Sequence, residues 1–225
     1  MPKTGRTSET KRPRQALSGN VIGLAFAGLA LAACQTTQVE EAAVAESLAT
    51  MAEPAPYAEG TVFHGVRNGE QVRNTLIAVN GDRYTWQRDT DGCTWTMDAG
   101  IGLRFGPEVS WENCNSSGTT TVTSKSGDIW PLEVGKTVSY EGTGHTAGGN
   151  DWTADRTCEV EGQARVTTHA GTYDTYKVVC RTKWREMISY VSPEVGATVK
   201  FVQRPTRSDS NSPGSDFELT RIEAR

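Results

Sequence analysis

The sequence predicts an all-β domain, and three observations support this. From Gly60 onward, apolar and polar residues alternate with a period of two over several short segments, as in strands with one buried face. The dipeptides Asn68-Gly69 and Asn80-Gly81 lie between such segments and favour the two-residue turn of a β-hairpin. No stretch beyond residue 57 has the 3.6-residue period of a long helix. We therefore predict a curved antiparallel meander that forms a partly open barrel or a sandwich.

Individual strands are expected where β-branched and aromatic residues cluster between turns. The clearest alternation covers residues 151–161, and a second one covers residues 175–185, where Tyr176, Val178, Cys180 and Trp184 share a face. Further strands are predicted at residues 61–66, 75–79, 83–87, 138–141, 188–191, 198–202 and 217–222.

The first 33 residues have the pattern of a secretory signal. Five basic side chains and a single acidic one precede an apolar core at residues 21–33. That core is about 20 Å long as a helix, which is short for a ~30 Å bilayer core. An uncleaved membrane anchor is the alternative, and it requires residues 18–20 (Ser-Gly-Asn) to be counted into the span.

The residues at the end of this apolar core indicate a particular class of secretory signal. The residues Leu31-Ala32-Ala33-Cys34 resemble the lipobox of bacterial lipoproteins. The resemblance implies removal of residues 1–33 and attachment of acyl chains such as palmitate to Cys34, which would hold the chain on a membrane. In this class, Gln35 in place of Asp favours the outer membrane. We expect the periplasmic face, with the cell surface as the alternative.

Residues 34–56 are rich in Ala and Glu, lack aromatic residues until Tyr57, and end on Pro54 and Pro56. We interpret them as a flexible lipid-anchored linker, followed by a single all-β domain at 57–225. A short docking helix at 39–52 is the alternative.

The charge balance argues against nucleic acid as a partner. Removing residues 1–33 takes away five positive charges and one negative charge, so the net charge falls from −4 to −8. No basic stripe offsets this acidity, and an acidic surface is repelled by phosphates.

Four cysteines follow the anchor, and an exported chain favours disulfides between them. Cys158 and Cys180 lie on the apolar faces of two predicted strands, and their midpoint is residue 169 in a turn-like stretch. A hairpin centred there places them opposite each other if Gly162 forms a bulge. Cys93 and Cys114 are the second predicted pair, although their positions on the two strand faces match less well. No Cys/His cluster indicates a metal site.

Several turn motifs resemble those of the TapB-like β-sheet proteins, bacterial envelope proteins of unknown function. The matching elements are Pro-Leu-x-x-Gly at 131–135, Ala-Gly-Thr-Tyr at 170–173 and Pro-x-x-Gly at 193–196, within residues 130–223. The resemblance implies a curved antiparallel sheet or partly open barrel, and it implies no reaction.

Catalytic groups are scarce in the sequence. Only His64, His145 and His169 could serve as bases near neutral pH, and no nucleophile motif accompanies them. His145 and Asp151 could form a pair in one loop. We therefore predict no catalytic residue, no metal and no cofactor.

Six tryptophans are the other notable feature. Most are expected to fill the core, but some could line an apolar ligand face, for which the candidates are Trp86, Trp152, Tyr176 and Trp184. The predicted function is a non-catalytic binding or structural module of the envelope, with the membrane and an apolar ligand or envelope protein as partners. An envelope hydrolase that uses a loop His with carboxylates is the alternative.

Overall fold

The computed structural model describes residues 39–98, 105–208 and 214–224, which form strands and no helix. The predicted signal peptide and Cys34 lie outside the described residues. Within them, no helix has the length and apolar character needed to cross a membrane. The strands are β1 (Glu41–Ala42), β2 (Val62–Arg67), β3 (Glu70–Asn80), β4 (Arg83–Arg88), β5 (Thr94–Asp98), β6 (Glu108–Glu112), β7 (Gly118–Gly127), β8 (Thr137–Thr146), β9 (Asp151–Thr153), β10 (Arg156–Thr168), β11 (Gly171–Arg181), β12 (Arg185–Ser192), β13 (Ala197–Pro205) and β14 (Ser215–Glu223).

Twelve of these strands close into an antiparallel barrel. Its order runs from β2 to β8, continues through β10 to β14, and returns from β14 to β2. The closing contact pairs residues 156–159 of β10 with residues 137–140 of β8. The all-β prediction is therefore confirmed, and the barrel is closed. Strand β9 pairs with the far end of β8, and β1 pairs with the far half of β10.

The hairpin of β10 and β11 continues beyond residues 156–159, where β10 pairs with β8. A bulge between Val160 and Gly162 shifts its register, as the sequence predicted. Beyond the bulge, the tip residue His169 contacts Glu218 of β14. Because Glu218 follows Phe217, which lines the interior cavity, its side chain points to the outer face. The hairpin tip therefore lies against the outside of the barrel.

Residues 39–56, which the sequence predicts as part of a flexible linker, pack against the barrel in the structure and belong to the same compact unit as the rest of the described chain. Met51 is buried and exchanges two backbone hydrogen bonds with Leu132, which is fully buried. The backbone of Leu48 is held by the side-chain amide of Gln163 at 2.9 and 3.2 Å. We call residues 39–56 the N-terminal segment.

A partly exposed acidic side chain, Glu41, holds the start of this segment against the barrel. Glu41 accepts hydrogen bonds from the hydroxyl of Tyr190 and from the ammonium of Lys177, the latter at 2.9 Å. Burial raises the pKa of Glu41, but these two donors lower it by more, so the net pKa is below its ordinary value. Tyr190 is fully buried, and the ionised Glu41 supplies its hydroxyl with an acceptor.

Candidate functional site

The barrel interior contains a small cavity of about 70 Å³. Its apolar lining consists mostly of aromatic rings: Phe63, Trp86, Trp95, Met97, Phe201 and Phe217. These residues come from five strands, β2, β4, β5, β13 and β14, and each occupies an inward position in the alternation of its strand. The cavity is therefore built by the barrel wall and needs no loop.

Four polar side chains interrupt this aromatic lining: Arg67, Asn74, Ser189 and Thr198. Asn74 and Thr198 are each 7% exposed. The Asn74 Oδ1 and the Thr198 Oγ1 have no hydrogen-bonding partner among the described protein atoms. Natural proteins retain few such buried polar atoms, because each one costs about 1–3 kcal/mol when it is left unsatisfied.

Arg67 lies at the end of β2 and combines three contacts. Its Nη1 donates a hydrogen bond to Ser215 Oγ at 3.2 Å. Its guanidinium carbon lies 5.7 Å from the centre of the Phe217 ring, within the range of a cation–π interaction. Arg67 also lines the cavity, so it brings a permanent positive charge to the edge of an otherwise uncharged space.

The Phe217 ring packs directly on Gly65, and this close contact lets the ring line the cavity. A Cβ atom at Gly65 would lie 2.2 Å from Phe217 Cε2 and 2.6 Å from the carbonyl oxygen of Glu218. Such distances are far below van der Waals contact, so no side chain fits at this position unless the ring and strand β14 move. The glycine therefore fixes how Phe217 covers the cavity.

The structure does not bring the four candidates for an apolar ligand face together. Trp86 lines the cavity. Tyr176 is buried elsewhere in the core, where its hydroxyl donates to the carbonyl oxygen of Ala49 at 2.7 Å. Trp152 lies on β9 against the backbone of Gly144, and its ring centre is 5.8 Å from that of Trp111.

Trp184 differs most from its sequence-based assignment. Strand β11 ends at Arg181, so Trp184 falls in the turn before β12 and is 41% exposed. The Thr182 hydroxyl accepts hydrogen bonds from the backbone N–H groups of Trp184 and Arg185, which closes the turn. The period-two alternation therefore stops three residues before Trp184.

Both predicted cysteine pairs are disulfide-bonded in the structure. Cys158 and Cys180 are direct partners in the register of β10 and β11, and both are buried. Cys93 and Cys114 flank the paired strands β5 and β6, with Cα atoms 4.6 Å apart. The two bridges thus fix two separate pairs of neighbouring strands in the ring.

The histidines lie at three separate places on the outside of the barrel. Each one contacts a carboxylate: His64 with Glu223 at 3.1 Å, His145 with Asp151 at 2.6 Å, and His169 with Glu218 at 2.6 Å. No two of them share a cleft.

The pair of His145 and Asp151 lies in an open surface groove with Trp152 and four threonines, Thr119, Thr121, Thr143 and Thr153. The proposed pairing of His145 with Asp151 is therefore present, although His145 belongs to strand β8 and not to a loop. In the part of the chain that the structure describes, no group of three or more His, Cys, Asp or Glu side chains is arranged to hold a metal ion.

The polar residues of the cavity were not predicted from the sequence. Asn74 lies between Val72 and Leu76 on the inward face of β3, and a polar residue at a buried position of this kind was the available signal. Thr198 gave no such signal, because threonine is common on both faces of strands.

Comparison with known proteins gives little further information. No family model matches this chain, and no curated protein matches it. The crystal structure of the hypothetical lipoprotein YmcC from Escherichia coli (K12) aligns with a TM-score of 0.46 and 10% sequence identity, over 77% of this chain and 92% of that chain. A likeness this weak supports no conclusion about function. Membership of the TapB-like group remains a prediction.

Proposed function

We propose that this protein is a lipid-anchored module of the bacterial envelope that acts by binding or as a structural element, without catalysis. The observation that carries the proposal is the pair of disulfides built into the barrel. Disulfides persist in oxidising compartments such as the periplasm and are rare in the cytosol. Together with the lipobox-like residues at Cys34, they support export followed by acylation.

Docking of the N-terminal segment would make the tether short. Glu41, where the segment first pairs with β10, lies seven residues after Cys34. An extended chain of this length spans at most about 25 Å. An acylated Cys34 would therefore hold the barrel close to the membrane surface, with less freedom than a linker extending to residue 56 would give.

The positions of the histidines support a non-catalytic role. General acid–base catalysis usually needs a base that is oriented by a neighbour and placed in a pocket that excludes water. The three His–carboxylate pairs are on the outer surface, and none lines the interior cavity. The cavity, in turn, is lined by uncharged groups and one arginine.

An acyl chain is a poor fit for the interior. A pocket for a lipid-sized or drug-sized ligand needs about 300 Å³ or more, whereas this cavity measures about 70 Å³. An apolar ligand would therefore have to bind outside the cavity, and a small ligand or an envelope protein is the better candidate partner.

An envelope hydrolase is the second candidate, and one observation favours it. Asp151 Oδ1 lies 2.6 Å from His145 Nδ1, which would orient the imidazole as a base within the groove. The His145→Ala and Asp151→Asn variants test this candidate with a panel of ester and glycoside substrates. We expect no turnover above background by the wild-type protein. Turnover that both substitutions abolish would establish the hydrolase.

Fractionation of bacterial membranes tests the anchored-module proposal. We expect the wild-type chain in the outer-membrane fraction after density-gradient separation, because position 35 is Gln. The Gln35→Asp variant should move to the inner-membrane fraction, and Cys34→Ala should leave the outer membrane. A wild-type chain found in the soluble periplasmic or cytosolic fraction would overturn the proposal.

A further inference from the structure

The interior cavity combines features that are costly for the protein unless something binds there. Asn74 Oδ1 and Thr198 Oγ1 face the cavity from strands β3 and β13, are almost fully buried, and have no partner among the described protein atoms. Replacing either residue by an apolar one would remove this cost. Polar groups at these two positions thus point to a bound group that forms hydrogen bonds with them.

We propose that the cavity is a binding site for a small neutral polyol, such as glycerol or the exposed vicinal hydroxyls of a sugar. The donors and acceptors of the lining define this class. Asn74 Oδ1 needs a donor, the Thr198 hydroxyl can donate or accept, and the Arg67 guanidinium can only donate. A hydroxyl group does both, so neighbouring hydroxyls can satisfy Asn74 and Thr198 and are compatible with the donor groups of Arg67 beside them.

Charged ligands match this set less well. A carboxylate or phosphate only accepts hydrogen bonds, so its oxygens would repel Asn74 Oδ1. An ammonium group would lie near the guanidinium of Arg67 and be repelled by it. A neutral ligand avoids both conflicts.

The apolar lining and the volume restrict the ligand further. The faces of Trp86 and Trp95 offer apolar contact to the C–H groups between hydroxyls. A volume of about 70 Å³ corresponds to about two water molecules at the ~30 Å³ that each occupies in the liquid. Two neighbouring hydroxyls, at one end of glycerol or at one edge of a sugar ring, are of this size, whereas an acyl chain is far larger.

This inference does not depend on the acylation of Cys34, so the two proposals can fail separately. The fractionation experiment tests only the anchor, whereas ligand binding to the purified protein in detergent tests only the cavity.

Saturation-transfer NMR and calorimetric titration of the full-length mature protein test the site with two probes, glycerol and a methyl glycoside. We expect saturable binding of at least one probe. Binding of glycerol alone would indicate a free polyol, and binding of the glycoside would indicate a sugar terminus. Because Trp86 and Trp95 line the cavity, tryptophan emission should change over the same concentration range.

The Thr198→Val variant is the decisive comparison, because valine keeps the shape of threonine and removes only the hydroxyl. We expect about a tenfold loss of affinity, equivalent to one hydrogen bond, without loss of stability. Thr121→Val, in the exposed outer groove, is the matched control and should bind like the wild type. Absence of saturable binding of both probes, or equal affinity of Thr198→Val and the wild type, would overturn the proposal and identify the cavity as a hydration site.

Discussion

Glu218 accepts two hydrogen bonds from His169, one from its backbone N–H at 3.1 Å and one from imidazole Nδ1 at 2.6 Å. Lys200 donates a third to the same carboxylate at 2.7 Å. These contacts join the tip of the β10–β11 hairpin to the outer face of β13 and β14. A single carboxylate therefore links the tip of the longest hairpin to the outer face of the barrel.

The hydrogen bonds of Glu218 with His169 and Lys200 predict that the stability of the fold depends on pH. Burial raises the pKa of Glu218, but the hydrogen bonds from Lys200 and His169 outweigh it, so the net pKa is below its ordinary value. A carboxylate with a lowered pKa in the folded state stabilises the fold above its unfolded pKa, and the contribution is lost as the pH falls through the folded pKa. We expect Glu218→Gln to lower the free energy of unfolding by about 1–3 kcal/mol at pH 7.

Urea denaturation at pH 7 and at pH 3 measures this effect. The difference between Glu218→Gln and the wild type should shrink towards zero at the lower pH. Glu194→Gln, in the exposed turn between β12 and β13, is the control and should match the wild type at both values. A difference at pH 3 as large as at pH 7 would rule out a stabilising contribution from the ionised Glu218 side chain.

The N-terminal segment should contribute to barrel stability. We expect Met51→Ala to lower the free energy of unfolding by about 2–3 kcal/mol, because Met51 is buried against Leu132 and the core. Alanine at Glu53, an exposed position two residues along, is the control. If thermal unfolding gives the same midpoint for Met51→Ala and the wild type, the segment is not part of the folded domain.

The two disulfides should differ in their contributions. Each closes a loop of similar length, with sequence separations of 21 and 22 residues, so the chain-entropy contributions are both about 3 kcal/mol. Cys158 and Cys180 are also buried in the core, whereas Cys114 is only partly buried. We therefore expect the double alanine variant at 158 and 180 to be less stable than that at 93 and 114.

Chemical denaturation of both double variants in parallel checks this order. Mapping of non-reduced peptides verifies that the remaining bridge is intact in each variant. The reverse order of stability would mean that packing around Cys158 contributes less than its burial indicates.

Gly65 should not tolerate a side chain. We expect Gly65→Ala to destabilise the barrel by about 1–3 kcal/mol, because its Cβ would overlap the Phe217 ring and the backbone of Glu218. Gly162→Ala is the matched control, because no heavy atom lies within 4 Å of a Cβ at that position. Thermal melting distinguishes the two variants, and equal melting temperatures would show that Phe217 moves away without cost.

The sequence predicts the second half of the barrel well. Strand β10 alternates clearly, and the midpoint of Cys158 and Cys180 gives both the hairpin tip and the bulge at Gly162. Strands β10 and β14 bury one face along most of their length, which preserves a period of two in their composition. Strand β12 is buried on both faces from Met187 to Ser192, and its β-branched and aromatic residues were the signal there.

Strands β6 and β7 were not predicted, and their surroundings explain why. Residues 121–127 of β7 are exposed on both faces, so the sequence TVTSKSG lacks the alternation of apolar and polar residues that would indicate a strand. The docking of residues 39–56 was missed for a related reason, because it depends on backbone hydrogen bonds and on single residues such as Met51. The cavity was not predicted because its lining comes from several strands. Which of their residues meet depends on the pairing register of those strands, and a local sequence pattern does not give that register.

Anchorage at Cys34 is the central claim, and the intact mass of the protein extracted from bacterial membranes tests it most directly. We predict a chain that begins at Cys34 and carries the additional mass of a diacylglyceryl group and an amide-linked acyl chain. The Cys34→Ala variant should carry no acyl mass. An unmodified chain that begins upstream of residue 34, or acyl mass retained in Cys34→Ala, would contradict it.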